Sequence, residues 1–314
     1  MLQLGIDIGG TNIKCGIVDD ITMDIVCSGS VPFPHTDCKG CCEVAASAAR
    51  AMLAENKIDM AQIESVGVAV PGSIDDSGSI VIAAYNLGFH NAPLKEEMEK
   101  VFPGKPVFIA NDANTAALAE LYAGAFRGKK TAVLITIGTG TGGGLILGGK
   151  MFNGGQNQGV ELGHMTLKYG GEMCSCGNAG CVESYCTASW LAKRGAEVFA
   201  NSPGLQMLSD GKIENVSAKI VVDAARNGDS AAAGVFEEFL DYLAAAISSI
   251  ATLLDPEVIA IGGGVSEAGD ILYKPLRRKV KERVFFSTEY SIVPAQLGNS
   301  AGIVGAAMLL ANSR

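Results

Sequence analysis

The chain contains the same unit twice, a strand, a glycine-rich turn and a second strand, and this repetition constrains its fold more than any other feature. In the first copy, apolar and polar residues alternate over residues 2–8, the turn is Gly9-Gly10-Thr11-Asn12, and alternation resumes over residues 13–17. The second copy starts at Ile135 and turns through Gly138 to Gly144. A dinucleotide-binding fingerprint would place a helix after the glycines, whereas here a strand follows. Two hairpins, each opening about half of the chain, predict duplicated α/β domains that face each other across a cleft.

Charge and hydropathy restrict the partners of the chain. The 314 residues include 24 basic and 33 acidic side chains, a formal net charge of -9. This balance argues against nucleic-acid binding, because phosphate contacts need clustered Lys and Arg. The N-terminus shows no signal peptide, and the most apolar later segment, 240–254, is too short to span a bilayer. We therefore expect a cytoplasmic protein that binds neither nucleic acid nor membrane, with its nine cysteines as thiols or metal ligands.

Apolar runs outside the hairpins predict further strands and helices. Buried strands are expected at 65–70, 107–110 and 258–261, and helices at 116–123, 231–254 and 301–311, with another from about Ser266. The C-terminal helix is expected to pack on the first domain. We therefore predict a small N-terminal α/β domain, residues 1–120 plus the helix 300–314, and a large C-terminal α/β domain, residues 121–299.

Three glycine loops follow apolar strands and predict a phosphate-binding site. Glycine lets backbone N–H groups approach an anion because no Cβ blocks the way. One such loop is equally well explained as an ordinary tight hairpin. Three of them, at Gly9-Gly10-Thr11, Gly138 to Gly144 and Gly262 to Gly264, favour a nucleotide held by two hairpins, with the third loop near its base and ribose. Asp7 adds a carboxylate beside the first turn, where an Mg²⁺–phosphate complex is expected.

A histidine and three cysteines form the sharpest metal-binding signal. Cys174, Cys176 and Cys181 lie in one glycine-turned loop, and His164 precedes it. Three thiolates and an imidazole complete a tetrahedral zinc site, and a site closed by four protein ligands is the structural kind. The alternative is three buried thiols and a surface histidine. The cysteines at 38, 41 and 42 have no histidine nearby and are expected to be ordinary part-buried thiols.

Several carboxylates near these loops are candidates for chemistry. Asn111-Asp112 follows a buried strand, where a carboxylate facing a cleft suits a general base. A plain helix N-cap explains this pair equally well. Glu161 and Glu183 flank the predicted metal ligands. Both are candidates for substrate contacts, and solvated surface charges are the alternative.

Together these motifs resemble one family, the ROK sugar kinases of the sugar kinase, Hsp70 and actin superfamily. The resemblance covers the whole chain and is carried by Asp7-Ile8-Gly9-Gly10-Thr11, Asn111-Asp112-Ala113-Asn114, Gly138 to Gly144, Glu161-Leu162-Gly163-His164, Cys174 to Cys181 with Glu183, and Ile261-Gly262-Gly263-Gly264. The zinc loop is nearly diagnostic of the family, whereas the glycine loops alone indicate the superfamily. The resemblance implies duplicated actin-like (ribonuclease H-like) α/β domains with an interdomain cleft, and a homodimer.

The resemblance also implies roles for individual residues. Asp112 is expected to take the proton from a hexose hydroxyl, most often the one on carbon 6. The residues expected to bind the sugar are Gly72, Asn86, Asn111, Asp112, Glu161, His164 and Glu183. ATP with Mg²⁺ is expected at Asp7, Gly9, Gly10, Thr11, Asn12, Lys14, Gly138, Thr139, Gly140, Thr141, Gly262, Gly263 and Gly264. His164 is expected to bind structural Zn²⁺ through one ring nitrogen, together with Cys174, Cys176 and Cys181, and the sugar through the other.

The implied activity is that of an ATP-dependent hexose kinase with glucose as the expected substrate. An N-acetylhexosamine kinase, for N-acetylglucosamine or N-acetylmannosamine, is the alternative within the enzyme class, followed by fructose and allose. Phe89 stands where many relatives carry tryptophan, which implies a smaller apolar wall for the sugar. The family also includes sugar-responsive transcriptional regulators that carry an additional N-terminal helix-turn-helix segment. Because the first hairpin begins at Leu2, we expect no such segment here and disfavour a regulator. Asp7, Asp112 and the complete zinc set argue against a catalytically inactive sugar-binding protein.

Overall fold

The computed structural model describes residues 1–286 and 288–313 of the chain. The strands are β1 (Leu2–Ile8), β2 (Asn12–Asp19), β3 (Ile25–Pro32), β4 (Ile63–Val70), β5 (Ser73–Ile74), β6 (Val81–Ala84), β7 (Phe89–Ala92), β8 (Val107–Asn111), β9 (Ala132–Ile137), β10 (Thr141–Leu147), β11 (Lys150–Phe152), β12 (Val258–Gly262) and β13 (Ile292–Pro294). The helices are α1 (Cys38–Glu55), α2 (Leu94–Val101), α3 (Asp112–Ala123), α4 (Ala188–Val198), α5 (Pro203–Leu208), α6 (Ala218–Arg226), α7 (Ser230–Leu254), α8 (Asp270–Arg283), α9 (Ala301–Ala307) and α10 (Leu309–Ser313).

The chain forms two compact units. The first contains Met1–Lys130, Gly144–Val160 and Gln296–Arg314, and the second contains Thr131–Gly143 and Glu161–Ala295. The chain thus passes between the units four times. Compared with the division expected from the sequence, the segments 121–130, 144–160 and 296–299 group with the first unit instead of the second.

The first unit is built on a five-stranded sheet with the order β3–β2–β1–β4–β8. β1 pairs antiparallel with β2 and parallel with β4, and β4 pairs parallel with β8. Helices α1 and α2 share one buried apolar cluster with β1 and β4, and α3 and α9 share another. A smaller sheet, β5–β6–β7, completes the unit. The end of β8 leads directly into α3, so Asn111 and Asp112 lie at the carboxyl end of a parallel strand.

The second five-stranded sheet has the order β11–β10–β9–β12–β13. When the five strands of each sheet are numbered by their order in the chain, both sheets have the order third, second, first, fourth, fifth. β12 pairs parallel with β9 and with β13 and is buried along its whole length, as is typical of a central parallel strand covered on both faces. The shared topology confirms the predicted duplication.

Most predicted elements lie within a few residues of the observed ones, and two differ. The helix expected from about Ser266 begins at Asp270, after a 3₁₀ turn at Gly264–Ala268, because Gly269 takes a φ of 71° and interrupts the helix. The C-terminal segment is two helices, since Met308 leaves the helical region between α9 and α10. Cys41 and Cys42 are fully buried in the first turns of α1, and all nine cysteines are free thiols. None of the helices in residues 1–286 and 288–313 combines the length and the apolar character needed to cross a bilayer.

Candidate functional site

The first glycine hairpin places a carboxylate and an ammonium group side by side. Gly9 N donates to Asn12 O at 2.9 Å and closes the turn, and the register of β1 and β2 sets Asp7 opposite Lys14. Lys14 Nζ lies 3.6 Å from Asp7 Oδ2. Burial raises the pKa of Asp7, and the lysine offsets part of this rise. A desolvated carboxylate beside a glycine turn gains from a second cation, so Asp7 fits the expected Mg²⁺.

Three of the expected sugar-binding residues in the first unit lie against other parts of the site. Asn86 is exposed in the 3₁₀ turn Tyr85–Leu87, and a Cβ built on Gly10 would lie 3.5 Å from its carbonyl oxygen. Gly72 O accepts a hydrogen bond of 3.1 Å from Asn111 Nδ2. The structure therefore joins Asn86 to the first hairpin, and Gly72 to Asn111.

Asn111 is the N-cap of α3, and Asp112 is the first residue of the helix. Asn111 Oδ1 accepts from Ala113 N at 2.9 Å and from Asn114 N at 3.1 Å, as an N-cap side chain does. Asp112 is exposed, and its Oδ1 accepts from Ala113 N at 2.8 Å. Capping thus explains Asn111, and a carboxylate at the next position is also favourable at the N-terminus of a helix.

His164, Cys174, Cys176 and Cys181 come together in one cluster, with one ligand atom from each within 4.8 Å of all the others. His164 Nδ1 lies 3.6 Å from Cys174 Sγ, and Cys176 Sγ lies 3.7 Å from Cys181 Sγ. A tetrahedral zinc ion with ordinary bond lengths separates a nitrogen and a sulfur ligand by about 3.6 Å and two sulfur ligands by about 3.8 Å. The donor set and its spacing therefore fit zinc bound through Nδ1 and three thiolates.

Local structure holds the four candidate metal ligands in place. His164 ends the 3₁₀ turn Leu162–His164, and Cys174 N donates to Asn178 O at 2.8 Å within the cysteine loop. Burial raises the pKa of Cys174, but hydrogen bonds from Cys176, His164 and Cys181 outweigh it and lower this pKa to about 7. The thiolate, the form that binds a metal, is therefore favoured at Cys174, whereas burial and the hydrogen bonds with Cys176 and Cys174 raise the pKa of Cys181 to about 12.

The second hairpin obtains its carboxylate from the segment after the cysteine loop. Glu183 Oε2 accepts from Thr141 N at 2.9 Å, and Thr141 Oγ1 donates to Cys186 O at 2.7 Å. The other oxygen, Glu183 Oε1, accepts from Ser175 Oγ at 3.3 Å. One side chain therefore connects the second hairpin to the loop that carries the metal ligands.

The third glycine loop lies beside the second hairpin and opens onto a pocket. Gly263 has a φ of 80°, and a Cβ on it would be 2.3 Å from Ile137 O, so this close approach requires glycine. Ala188 N donates to Gly138 O at 2.8 Å and also lines the pocket. The pocket has a volume of about 490 Å³, within the range of small-molecule sites. Its lining includes Ala188, Ser217, Lys219, Val222, Asp223, Arg226, Gly264, Val265 and Ala268.

The charged residues of α6 at this pocket were missed by the sequence analysis. Lys219 pairs with Asp223 at 2.6 Å, and Arg226 Nη2 donates to Ala268 O at 2.9 Å. In the sequence they form only an i,i+4 and an i,i+3 pair, which is typical of any solvated helix face. Their place at the pocket follows from the packing of α6 beside the glycine loop.

Two further residues considered in the sequence analysis, Glu161 and Phe89, lie in opposite surroundings, the first exposed and the second buried. Glu161 is exposed immediately before the turn that carries His164, and its carbonyl accepts from His164 N at 3.1 Å. Phe89 is 2% exposed and its ring centroid lies 6.4 Å from that of Phe33. It is a core residue rather than an exposed wall for a sugar, because β7 turns it inward.

Comparisons with known proteins match nearly the whole chain. The sequence profile of the ROK family matches residues 3–313. A glucokinase of Thermotoga maritima is 35% identical, over 98% of this chain and 96% of its own. An N-acetyl-D-glucosamine kinase of Vibrio vulnificus is 31% identical, over 98% of this chain and 99% of its own. The crystal structure of a ROK family glucokinase from Streptomyces griseus in complex with glucose and AMPPNP superposes with a TM-score of 0.83 at 33% identity, covering 98% of this chain and 99% of that one.

Proposed function

The chain belongs to the ROK family, and we propose that it is an ATP-dependent sugar kinase that transfers the γ-phosphoryl group of MgATP to the 6-hydroxyl of glucose. The observation that carries this proposal is the full-length likeness to glucokinases, at 35% and 33% identity, against 31% for the N-acetylglucosamine kinase. The polar side chains at the two hairpins, at the end of β8 and around the cysteine loop support the same reaction.

In this proposal Asp112 is the general base. It accepts the proton of the 6-hydroxyl as that oxygen attacks the γ-phosphorus, and the bond from the γ-phosphorus to the β,γ-bridging oxygen breaks in line. Asn111, Asn86 and Gly72 orient the sugar near this carboxylate. The capping bonds of Asn111 fix the start of α3, so the carboxylate of Asp112 starts from a defined position.

The two hairpins and the third loop hold the nucleotide. Backbone N–H groups of the glycine turns bind the phosphates, together with Thr11, Asn12, Lys14, Thr139 and Thr141. The adenosine part occupies the pocket beside Gly262 to Gly264, whose volume of about 490 Å³ suits a nucleoside. Mg²⁺, when bound near Asp7, neutralises charge on the phosphates.

The cysteine loop orients the side chains that bind the sugar. Glu161, His164 and Glu183 contact the ring hydroxyls, and Cys174, Cys176 and Cys181 with His164 Nδ1 hold zinc. Zinc, when bound, fixes the tautomer of His164, which leaves Nε2 directed to the sugar.

An N-acetylhexosamine kinase is the second candidate, because one relative with that name covers the chain from end to end. The test is a coupled assay of ADP release with MgATP and glucose, mannose, N-acetylglucosamine, N-acetylmannosamine, fructose and allose. The highest kcat/KM is expected for glucose. A preference for an acetamido sugar would move the substrate within the same mechanism. No turnover by zinc-containing protein on any of the six would contradict the proposal.

We also propose that the enzyme is a cytoplasmic homodimer that acts in sugar metabolism. The nine free thiols support a reducing compartment. The dimer follows from the family resemblance alone. Light scattering coupled to gel filtration tests it, and a monomeric mass across the working concentration range would contradict it.

A further inference from the structure

Glu120 is a buried carboxylate for which the expected roles do not account. It lies two turns after Asp112 on α3 and is 1% exposed. Its Oε2 accepts from Ala125 N at 2.7 Å, and its Oε1 accepts from Gln296 N at 2.8 Å and Leu297 N at 3.0 Å. A buried carboxylate is costly unless hydrogen bonds satisfy its oxygens, and three N–H donors do so here.

Gln296 and Leu297, two of these donors, begin a segment that contacts the first hairpin. Residues 296–302 lead into α9. Asn299 O accepts from Lys14 Nζ at 3.5 Å. Gly302 lies so close to Asp7 that a Cβ on it would be 2.5 Å from Asp7 Oδ2. Glu120 therefore holds the start of a segment, residues 296–302, that lies against both Lys14 and Asp7.

We infer that Glu120 is a positioning residue of the phosphoryl-transfer site, which holds the segment 296–302 so that Asp7 and Lys14 keep the arrangement that MgATP requires. The inference rests on the proposed function. The side chain is buried, so it acts through this segment and not by contact with a substrate. Along α3 it is about 12 Å from Asp112, at 1.5 Å per residue. A change at Glu120 is therefore expected to affect the nucleotide before the sugar.

A purely structural role is the rival explanation, and the C-terminal segment offers a matched control. Asn312 lies in α10, the helix that follows α9. Its Oδ1 accepts from Met151 N at 3.0 Å and so links α10 to β11. Asn312→Ala removes this acceptor of a backbone N–H group. Glu120→Gln likewise leaves at least one N–H group without an acceptor, because its amide has a single acceptor oxygen. A role in stability alone would give both variants the same kinetic behaviour.

The test compares the full-length wild type, Glu120→Gln and Asn312→Ala. It measures kcat and KM for MgATP and for glucose, the Kd of glucose and of Mg-AMPPNP by calorimetry, and the thermal midpoint. In Glu120→Gln, kcat/KM for MgATP is expected to fall about 10- to 100-fold, the range that small misplacements of reacting groups produce. Mg-AMPPNP binding weakens as well, and the Kd of glucose stays within about twofold. Asn312→Ala keeps wild-type kinetics even where its thermal midpoint falls.

Several outcomes would overturn the inference. These are unchanged MgATP constants in Glu120→Gln, an equal loss for glucose and MgATP, or the same loss in Asn312→Ala. If Glu120→Gln does not fold, Glu120→Asp decides, because it keeps both acceptor oxygens but shortens the side chain by one methylene and so withdraws them from the N–H groups of Gln296 and Leu297. A MgATP-selective loss there supports the inference, and unchanged constants overturn it. A wild type that does not phosphorylate glucose contradicts the proposed function, and the Mg-AMPPNP titration, which needs no sugar, then still decides the role of Glu120.

Discussion

The two five-stranded sheets share one strand order, yet their hairpins are equipped differently. The first hairpin has charged side chains of its own, because Asp7 on β1 faces Lys14 on β2. Residues 132–147, which form the second hairpin, contain no ionisable side chain. The carboxylate beside the second hairpin is Glu183, which accepts from Thr141 N and comes from the segment after the cysteine loop.

The fifth strands of the two sheets differ in the same way. β8 ends at Asn111 and continues into Asp112, whereas β13 ends at Pro294 and continues into Ala295 and Gln296. The repeated topology therefore determines the backbone framework in both copies, and the polar side chains are placed independently in each. The first copy carries its carboxylates on its own strand ends. The second copy takes its carboxylate from the segment after the cysteine loop.

The largest effect is expected at Asp112, which follows the end of β8 and has no acidic counterpart after β13. Asp112→Asn should lower kcat about 10²- to 10⁴-fold, because the proposed general base is lost while the side chain keeps its shape. Glucose binding by calorimetry should largely survive. Asp270→Asn is the matched control, since Asp270 is the first residue of α8 and is exposed. Turnover close to the wild type in Asp112→Asn would remove this residue from the mechanism.

The zinc site proposed beside the second hairpin predicts the next largest effect. Cys176→Ser should lose bound zinc, and kcat/KM should fall about 10²-fold, because His164 and Glu183 lose their support. Metal analysis and kinetics on the same preparation check this. Cys27→Ser, a half-buried thiol of β3, should keep its zinc and its activity. A zinc-free Cys176→Ser variant with full activity would refute the orienting role.

A smaller effect is expected at Glu183, the carboxylate that accepts from Thr141 N of the second hairpin. Glu183→Gln retains an acceptor for Thr141 N but loses the charge, which weakens the bond by about 1 kcal/mol. We expect about a tenfold lower kcat/KM for MgATP and for glucose alike, because the same side chain is proposed to bind the sugar. Glu172→Gln, two residues before the cysteine loop, is the control, since its exposed pair with Lys193 contributes little. A loss confined to one substrate would assign Glu183 a single role.

The smallest effect is expected at the pocket beside the third loop. Gly264 lines this pocket, its φ is not in the left-handed region, and a Cβ on it meets no atom within 4 Å. Gly264→Leu should therefore raise the KM for MgATP about fivefold, equivalent to about 1 kcal/mol, with the glucose constants unchanged. Gly234→Leu, at an exposed glycine of α7 with the same open space, should leave both unchanged. An unaltered KM for MgATP in Gly264→Leu would contradict a nucleotide in this pocket.

The sequence by itself determined the features that depend on short stretches of chain. Alternation over a few residues and the glycines between them predicted both hairpins, and the apolar periodicity of residues 231–254 predicted α7 to within one residue. The cluster of one histidine and three cysteines was also predictable, because Cys174, Cys176 and Cys181 share one loop and His164 lies 10 residues before its first cysteine. These features are local, since neighbouring residues along the chain must be neighbours in space.

Only the tertiary structure decided which distant side chains share a bond. Glu183 and Thr141 are 42 positions apart, and Glu120 and Gln296 are 176 apart. In the sequence Glu120 is an acidic residue in a helix, a type of residue that is usually solvated. It is buried because α9 packs on α3 and brings the N–H groups of residues 296 and 297 to it. Sheet order and helix packing create such contacts, and no local pattern encodes them, because the free energy that selects them comes from burial across the whole unit.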